Sequence, residues 1–203
     1  QSPCGDSFGY EAWQGHFELP CLNLFNPDVR SYLFDVIRFW IDEFDIDGIR
    51  LDCANVLDFN FMKEMRSRTE TMKEDFWLMG EVIHGDYSRW VNSEMLHSVT
   101  NYELHKSLYS GFNDHNFFEI AHNVRRLEAI GRQLYTFVDN HDEDRIATKL
   151  KLREHLFPIY LCLFTLPGIP SVYYGGEWGI EGKRTNTSDE ALRPAISIDQ
   201  EGE

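Results

Sequence analysis

The chain has 203 residues, 42% of them hydrophobic and 14% aromatic, enough to bury a sizeable core as one globular domain and too much for a disordered segment. Nineteen basic against 34 acidic residues give a formal net charge of −15, which disfavours nucleic acid and a membrane surface as partners and points to a neutral or cationic small molecule. The longest apolar run, "LFPIYLCLFTLPG" (156–168), is too short for an ordinary membrane span and contains Pro158, so it reads as a buried helix.

In chain order, the first 25 residues lack clean periodicity and read as a loop-rich segment. In "NPDVRSYLFDVIRFWIDEF", Asn26 suits an N-cap, Pro27 the first helical position and Asp28 the positive end of the helix dipole. Val29, Leu33, Val36, Ile37 and Trp40 then recur at helical spacing. A strand follows near Gly48–Asp52, a helix over about Phe59–Met72, and a buried strand in "DFWLMGE" that ends on Glu81. Further strands are predicted at "LHSVTN", "LYTFVD" and "SVYY", with helical stretches near His115–Ile130 and Leu152–Leu166 between them. Strands separated by helices argue for parallel pairing, closed as a (β/α)₈ barrel or open as a doubly wound sheet. The open form usually carries a glycine-rich phosphate loop, and neither GxGxxG nor GxxxxGK[ST] occurs here.

The cysteines Cys4, Cys21, Cys53 and Cys162 show no CxxC spacing, so no metal is assigned to them. Cys53 and Cys162 read as inert buried thiols, while Cys4 and Cys21 share one irregular segment and could pair in an oxidising compartment. The chain opens on Gln1 without a signal-peptide pattern, which reads as a start inside a longer sequence or after processing. The compartment stays open, with the cytoplasm favoured.

The stretch "FDIDGIRLDCAN" (44–55) puts Arg50 and Asp52 in an otherwise apolar strand. Glu81 closes the second strand, and Asp142 follows the fourth in "FVDNHDEDR". In a parallel barrel all strand C-termini meet at one mouth, where three idle acids would be costly. A lone acid at a strand end is more often an N-cap or a salt-bridge partner, so the weight lies on the combination. Glycoside hydrolysis uses such a set: one carboxylate attacks the anomeric carbon and a second carboxyl protonates the leaving oxygen.

The segments "DGIRLDCAN", "GEVIH" and "FVDNHDEDR" resemble three regions that define the α-amylase family, glycoside hydrolase family 13, in the same order. "LPCLN" resembles a short motif near the end of the inserted domain B of its cyclomaltodextrinase and neopullulanase members, and "GIPSVYYGGEWGIEG" the segment around the last barrel strand. The resemblance implies an α/β fold, a partial TIM (β/α)₈ barrel of roughly strands 4 to 8 with their helices. Residues 1–25 would be the end of domain B, 26–186 the barrel strands, and 187–203 an irregular tail. The earlier barrel strands, the DxxxNH motif and the C-terminal sheet domain are missing, so the chain is expected to be a fragment of a catalytic domain.

By the same resemblance Asp52 matches the nucleophile, Arg50 the arginine that holds it ionised, and Glu81 the general acid/base. Asp142 matches the third acid and His141 the histidine on the same sugar. Asn55 and His84 are candidate substrate contacts. A retaining mechanism implies carboxyl groups about 5 to 5.5 Å apart. Trp13, Tyr87, Trp90 and Trp178 could stack on glucose rings, though packing is preferred for most. Arg145 either orients Asp142 or, more simply, closes a salt bridge. Gly176 stands where many relatives carry Asp in "YYGDE", a departure bearing on a surface carboxylate and not on the chemistry.

The expected partner is an α-glucan oligosaccharide such as a maltodextrin, cyclomaltodextrin or pullulan, with neither nucleic acid nor membrane as a partner. No cofactor is required; calcium is compatible with the full-length protein, through ligands drawn largely from domain B and the loops before it. Open barrel edges would favour self-association. The alternative is a truncated non-catalytic fragment that binds α-glucan weakly or acts only as a folding or interaction unit.

Overall fold

The computed structural model describes Gly5 and residues 7–197. Cys4, with its expected pairing to Cys21, and the last six residues of the tail lie outside the described residues. Two compact units form, Gln1–Asp47 with Leu57–Phe76 and Gly48–Val56 with Trp77–Glu203.

The first unit holds a hairpin and two helices. Strands β1 (Ala12–Trp13) and β2 (His16–Pro20) pair antiparallel across Gln14 and Gly15, at φ 48° and 85°. Two consecutive positive φ values match the twist of a two-residue hairpin. The segment expected to be a loop is therefore partly strand; its residues lack alternation because β2 is exposed along its length.

Helix α1 (Pro27–Phe44) starts as its sequence predicts, with Asn26 Oδ1 accepting from the Asp28 amide at 2.8 Å. It ends on Asp45 in the left-handed conformation, whose N–H returns to the Ile41 carbonyl. Helix α2 (Phe59–Met72) is capped by Asp58, whose Oδ1 accepts from the Phe61 amide at 2.8 Å. The two helices meet through Phe34 and Phe61, stacked at 5.4 Å, with the Arg68 guanidinium 4.6 Å from the Phe34 ring. Asp58→Ala is expected to lower stability by about 1 kcal/mol, read from a urea melt, because one first-turn N–H loses its acceptor.

Among the described residues the second unit carries five parallel strands in chain order. Strand β3 (Gly48–Leu51) pairs with β4 (Trp77–Gly80), and β4 with β5 (Ser98–Val99). Strand β6 (Tyr135–Phe137) pairs with β7 (Ile169–Ser171). A single bridge, Thr100 to Tyr135, joins the two ladders, reinforced by the Asn101 amide donating to the Tyr135 carbonyl at 2.8 Å.

The last strand lies two residues earlier than "SVYY" suggested. Pairing begins where the Ile169 amide donates to the Leu134 carbonyl, and Pro170 is tolerated because alternate residues of a parallel strand point their N–H away from the partner.

Helix α3 (Tyr102–Asn113) is the element the periodicity missed, and α4 (Phe117–Arg126) is shorter than the stretch expected there. Helix α5 (Ile146–Lys149) is a single turn, and α6 (Leu156–Thr165) lies in the apolar run, with Pro158 in its first turn where an N–H has no helical partner anyway. It is not the buried helix expected, since only Ile159 and Leu163 are buried and Phe157, Leu161 and Phe164 are exposed. Leu104, Leu108, Phe112, Ile120, Val138, Ile146, Ile159 and Leu163 form the core of this unit. No helix of the described residues is long and apolar enough to cross a membrane.

Candidate active site

The strand register decides which side chains converge. Arg50 lies opposite Met79 in the β3–β4 ladder, and the chain leaves both strands in step, so that the Glu81 amide donates to the Leu51 carbonyl and the Ala54 amide to the Glu81 carbonyl. Asp52 and Glu81 therefore emerge side by side just past the C-terminal ends of adjacent parallel strands.

A single guanidinium joins the two acids. Arg50 donates to Asp52 Oδ1 at 3.0 Å and forms an ion pair with Glu81 Oε2 at 3.1 Å. An oxygen of each carboxyl and the Cys53 sulfur all lie within 4.8 Å of one another. Exposure separates the acids: the Asp52 side chain is 76% exposed and that of Glu81 only 8%. Glu81 also accepts from the Cys53 amide on Oε2 at 3.2 Å and from the Tyr102 hydroxyl on Oε1 at 3.2 Å. Both oxygens of the buried acid are thus hydrogen-bonded, as burial requires.

Cys53 sits at φ 44° in the turn between the acids, and burial, followed by the charges of Asp52 and Glu81, pushes its thiol up from its ordinary value. Cys53 is only partly buried, where the sequence reading expected a buried thiol. Among the described residues, Asp52, Cys53 and Glu81 are the only grouping with metal-ligand reach. A thiol beside two arginine-bound carboxylates does not suit the all-oxygen shell of calcium.

The second cluster follows β6. Asn140 Oδ1 accepts from the amides of Asp142 and Glu143, both at 2.9 Å, and turns the chain so that His141 and Asp142 project together. His141 Nε2 lies 3.0 Å from Asp142 Oδ2, while Arg193 and Arg184 reach Asp142 Oδ1 at 3.2 and 3.7 Å. Arg193 also donates from Nε to the His141 carbonyl. Asn140 Nδ2 donates to the Tyr102 hydroxyl at 3.1 Å, which links this cluster to Glu81.

Of the residues expected from the sequence, Arg50, Asp52 and Glu81 come together, as do His141 and Asp142. Asn55 is exposed in the turn after β3, and His84 is exposed in the loop after β4. Among the described residues, neither hydrogen-bonds to the acids. Tyr87 and Trp90 are buried and serve packing, whereas Trp178 is partly exposed.

Arg145 departs from both readings. Its side chain is fully buried, donates to the Tyr174 carbonyl and lies over the Tyr173 ring at 4.5 Å, while Asp142 takes its cations from Arg184 and Arg193. Gly176 is likewise buried and not at the surface; a Cβ there would collide with the Tyr160 hydroxyl.

Tyr102, Asn140, Arg184 and Arg193 were not found by sequence reasoning. Only Asn140 carried a signal, as a turn-forming side chain directly after a strand. Asp139 proves structural, because its Oδ2 accepts from the Ile146 amide at 2.8 Å at the start of α5. Burial, opposed by that hydrogen bond and by Arg145, pushes its carboxyl up.

Behind the second cluster, Lys149 Nζ reaches Glu143 Oε2 at 2.5 Å and His105 Nε2 at 3.1 Å. His105 and Lys149 hold the Glu143 carboxyl down at about 2 against its own burial. Burial pushes the His105 ring below its ordinary 6.5. Both groups bind protons more readily when unfolded, so their stabilisation is present at neutral pH and is lost as pH falls, first below 6.5 and then between 4.5 and about 2. The urea midpoint is expected to drop across that range, and Lys149→Met to flatten the part below 4.5.

The family description "Alpha amylase, catalytic domain" matches residues 5–201. The intracellular maltogenic amylase of Bacillus subtilis is 32% identical over 186 residues, 88% of this chain and 31% of the relative. Neopullulanase 2 of Thermoactinomyces vulgaris is 34% identical over 191 residues, 90% of this chain and 32% of the relative. The solved cyclic α-maltosyl-(1→6)-maltose hydrolase of Arthrobacter globiformis, in complex with cyclic α-maltosyl-(1→6)-maltose, superposes with a TM-score of 0.82 at 28% identity. That match covers 94% of this chain and 43% of that one. The chain spans about a third of the length of the curated relatives it matches.

Proposed function

Because the chain belongs to the alpha-amylase family and its fold is part of that family's (β/α)₈ barrel, roughly strands 4 to 8, we propose that it carries the acids for retaining hydrolysis of α-1,4-glucosidic bonds in maltodextrins or cyclomaltodextrins. The observation that carries this reading is the Arg50 bridge between Asp52 and Glu81, with carboxyl oxygens inside 4.8 Å. That spacing lies within the close range of retaining enzymes and below that of inverting ones, which supports Asp52 itself as the nucleophile.

Asp52, the exposed member, attacks the anomeric carbon as Glu81 gives a proton to the departing glycosidic oxygen. The bond from Asp52 to the sugar forms, the bond to the leaving glucan breaks, and Glu81 is left ionised. Glu81 then takes a proton from water, which displaces Asp52; a sugar hydroxyl in place of water gives transglycosylation. His141 and Asp142 bind hydroxyls of the same sugar, and Arg184 and Arg193 keep Asp142 in place. The chemistry uses side chains alone and needs no cofactor.

The substrate class rests on the relatives' names, maltogenic amylase and neopullulanase among them, and the name of the Bacillus subtilis relative favours an intracellular setting. The test is intact-protein mass spectrometry after incubation with 5-fluoro-α-glucosyl fluoride, which slows breakdown of the covalent intermediate. A sugar adduct mapped to Asp52 supports the reading. An unlabelled chain that still binds maltodextrin would leave it a binding unit without turnover.

A further inference from the structure

We propose that Tyr102 is a positioning residue: its hydroxyl, held by Asn140, fixes the Glu81 carboxyl and ties it to the loop that carries His141 and Asp142. The inference rests on the reading of Glu81 as the acid/base.

The direction of each hydrogen bond follows from donor counting. Asn140 Oδ1 is occupied by two backbone N–H groups, from Asp142 and Glu143, so its Nδ2 must be the atom that faces Tyr102. The Tyr102 oxygen therefore accepts from Asn140, and its single proton is left for Glu81 Oε1. Burial pushes the phenol far above its ordinary value, so that proton stays in place throughout the working range.

Packing fixes the ring as well. Tyr102 is 8% exposed, is the first residue of α3, and stands edge-on to Phe137 of β6 at 5.0 Å. The other Glu81 oxygen faces the Arg50 guanidinium and the Cys53 amide, the latter held in place as backbone.

The consequence is kinetic. As Glu81 gives up its proton, the charge that develops on the carboxyl is met by a donor already aimed at it, with no reorganisation during the step. Tyr102→Phe keeps the ring and removes only this donor. It is expected to lower kcat/KM on maltodextrin about tenfold and to move the alkaline limb of the pH profile up by about one unit. The loss should be much smaller on α-glucosyl fluoride, whose leaving group needs little protonation. Asn140→Asp keeps the oxygen that binds the two amides but replaces the amide donor with an acceptor, so the tyrosine proton turns away from Glu81. The same pH shift is then expected with Tyr102 intact.

An NMR titration of the ¹³C carboxyl signal of Glu81 reads the effect without turnover, and its midpoint should rise in both variants. An unmoved midpoint, or an equal loss of kcat/KM on both substrates with an unchanged profile, would overturn the role of Tyr102. Persistence of maltodextrin hydrolysis in Glu81→Gln would instead overturn the acid/base reading itself.

Discussion

Glu81→Gln is expected to reduce maltodextrin hydrolysis by about 10³-fold or more. Glutamine preserves the shape of the side chain but cannot give a proton to a departing sugar oxygen. It also faces the Arg50 guanidinium, the Cys53 amide and the Tyr102 hydroxyl with only one acceptor atom, so at least one of those contacts is lost. The two chemical steps should separate in the variant. Fluoride leaves without protonation, so α-glucosyl fluoride still glycosylates Asp52, whereas the second step lacks its base. The glycosyl adduct should therefore accumulate and be visible by intact mass, while reducing-sugar release from maltodextrin nearly vanishes. Unchanged release would remove Glu81 from the reaction.

Gly48→Ala is expected to be the most damaging conservative change in the strand region, at about 3 kcal/mol or more. Gly48 opens β3 opposite Trp77. A Cβ there would fall well inside contact distance of the Trp77 carbonyl oxygen and 2.9 Å from the Trp77 Cβ. The obstacle is backbone, which cannot turn aside as a side-chain tip can, so the ladder itself must shift. Since that ladder sets Arg50 and Asp52 against Glu81, activity should fall further than stability alone explains. Gly131→Ala is the control: its nearest neighbour is Pro167 at an ordinary 3.7 Å, and its melt should move by about 0.5 kcal/mol or less.

Strands β3 to β6 were legible because each is a short run closed by a polar residue, whereas β1 and β2 were not and β7 was displaced; α1 was legible because its cap, proline and apolar stripe agree with one another. Helix α3 was hidden by two features. Asn101 serves the end of β5 and the start of the helix with no loop between them, its side chain accepting from the Leu104 amide. Ser107, Ser110 and Gly111 also dilute helix propensity; the glycine is there because Ile120 of α4 packs 3.1 Å from where a Cβ would be.

At the site, Asp52, Glu81 and Asp142 stood out by their places at strand ends and by the family resemblance. The groups that hold them did not. Tyr102, Arg184 and Arg193 reach the acids from 21 to 51 positions away in the chain, a relation set by tertiary packing that no local pattern encodes. Arg145 misled for the opposite reason: it is near Asp142 in sequence but faces the aromatic rings of Tyr173 and Tyr174.

The lone bridge between Thr100 and Tyr135 divides the strands into two ladders, with Asp52 and Glu81 following one and His141 and Asp142 following the other. Local opening takes the route that breaks the fewest backbone hydrogen bonds, and here that route is a hinge line running through the candidate site. Amide hydrogen exchange at Asn101 should accordingly outpace exchange at Leu78 and Met79 inside the first ladder. Opening along that line would also break the Asn140–Tyr102 hydrogen bond, so the tyrosine that faces Glu81 acts as a latch across it.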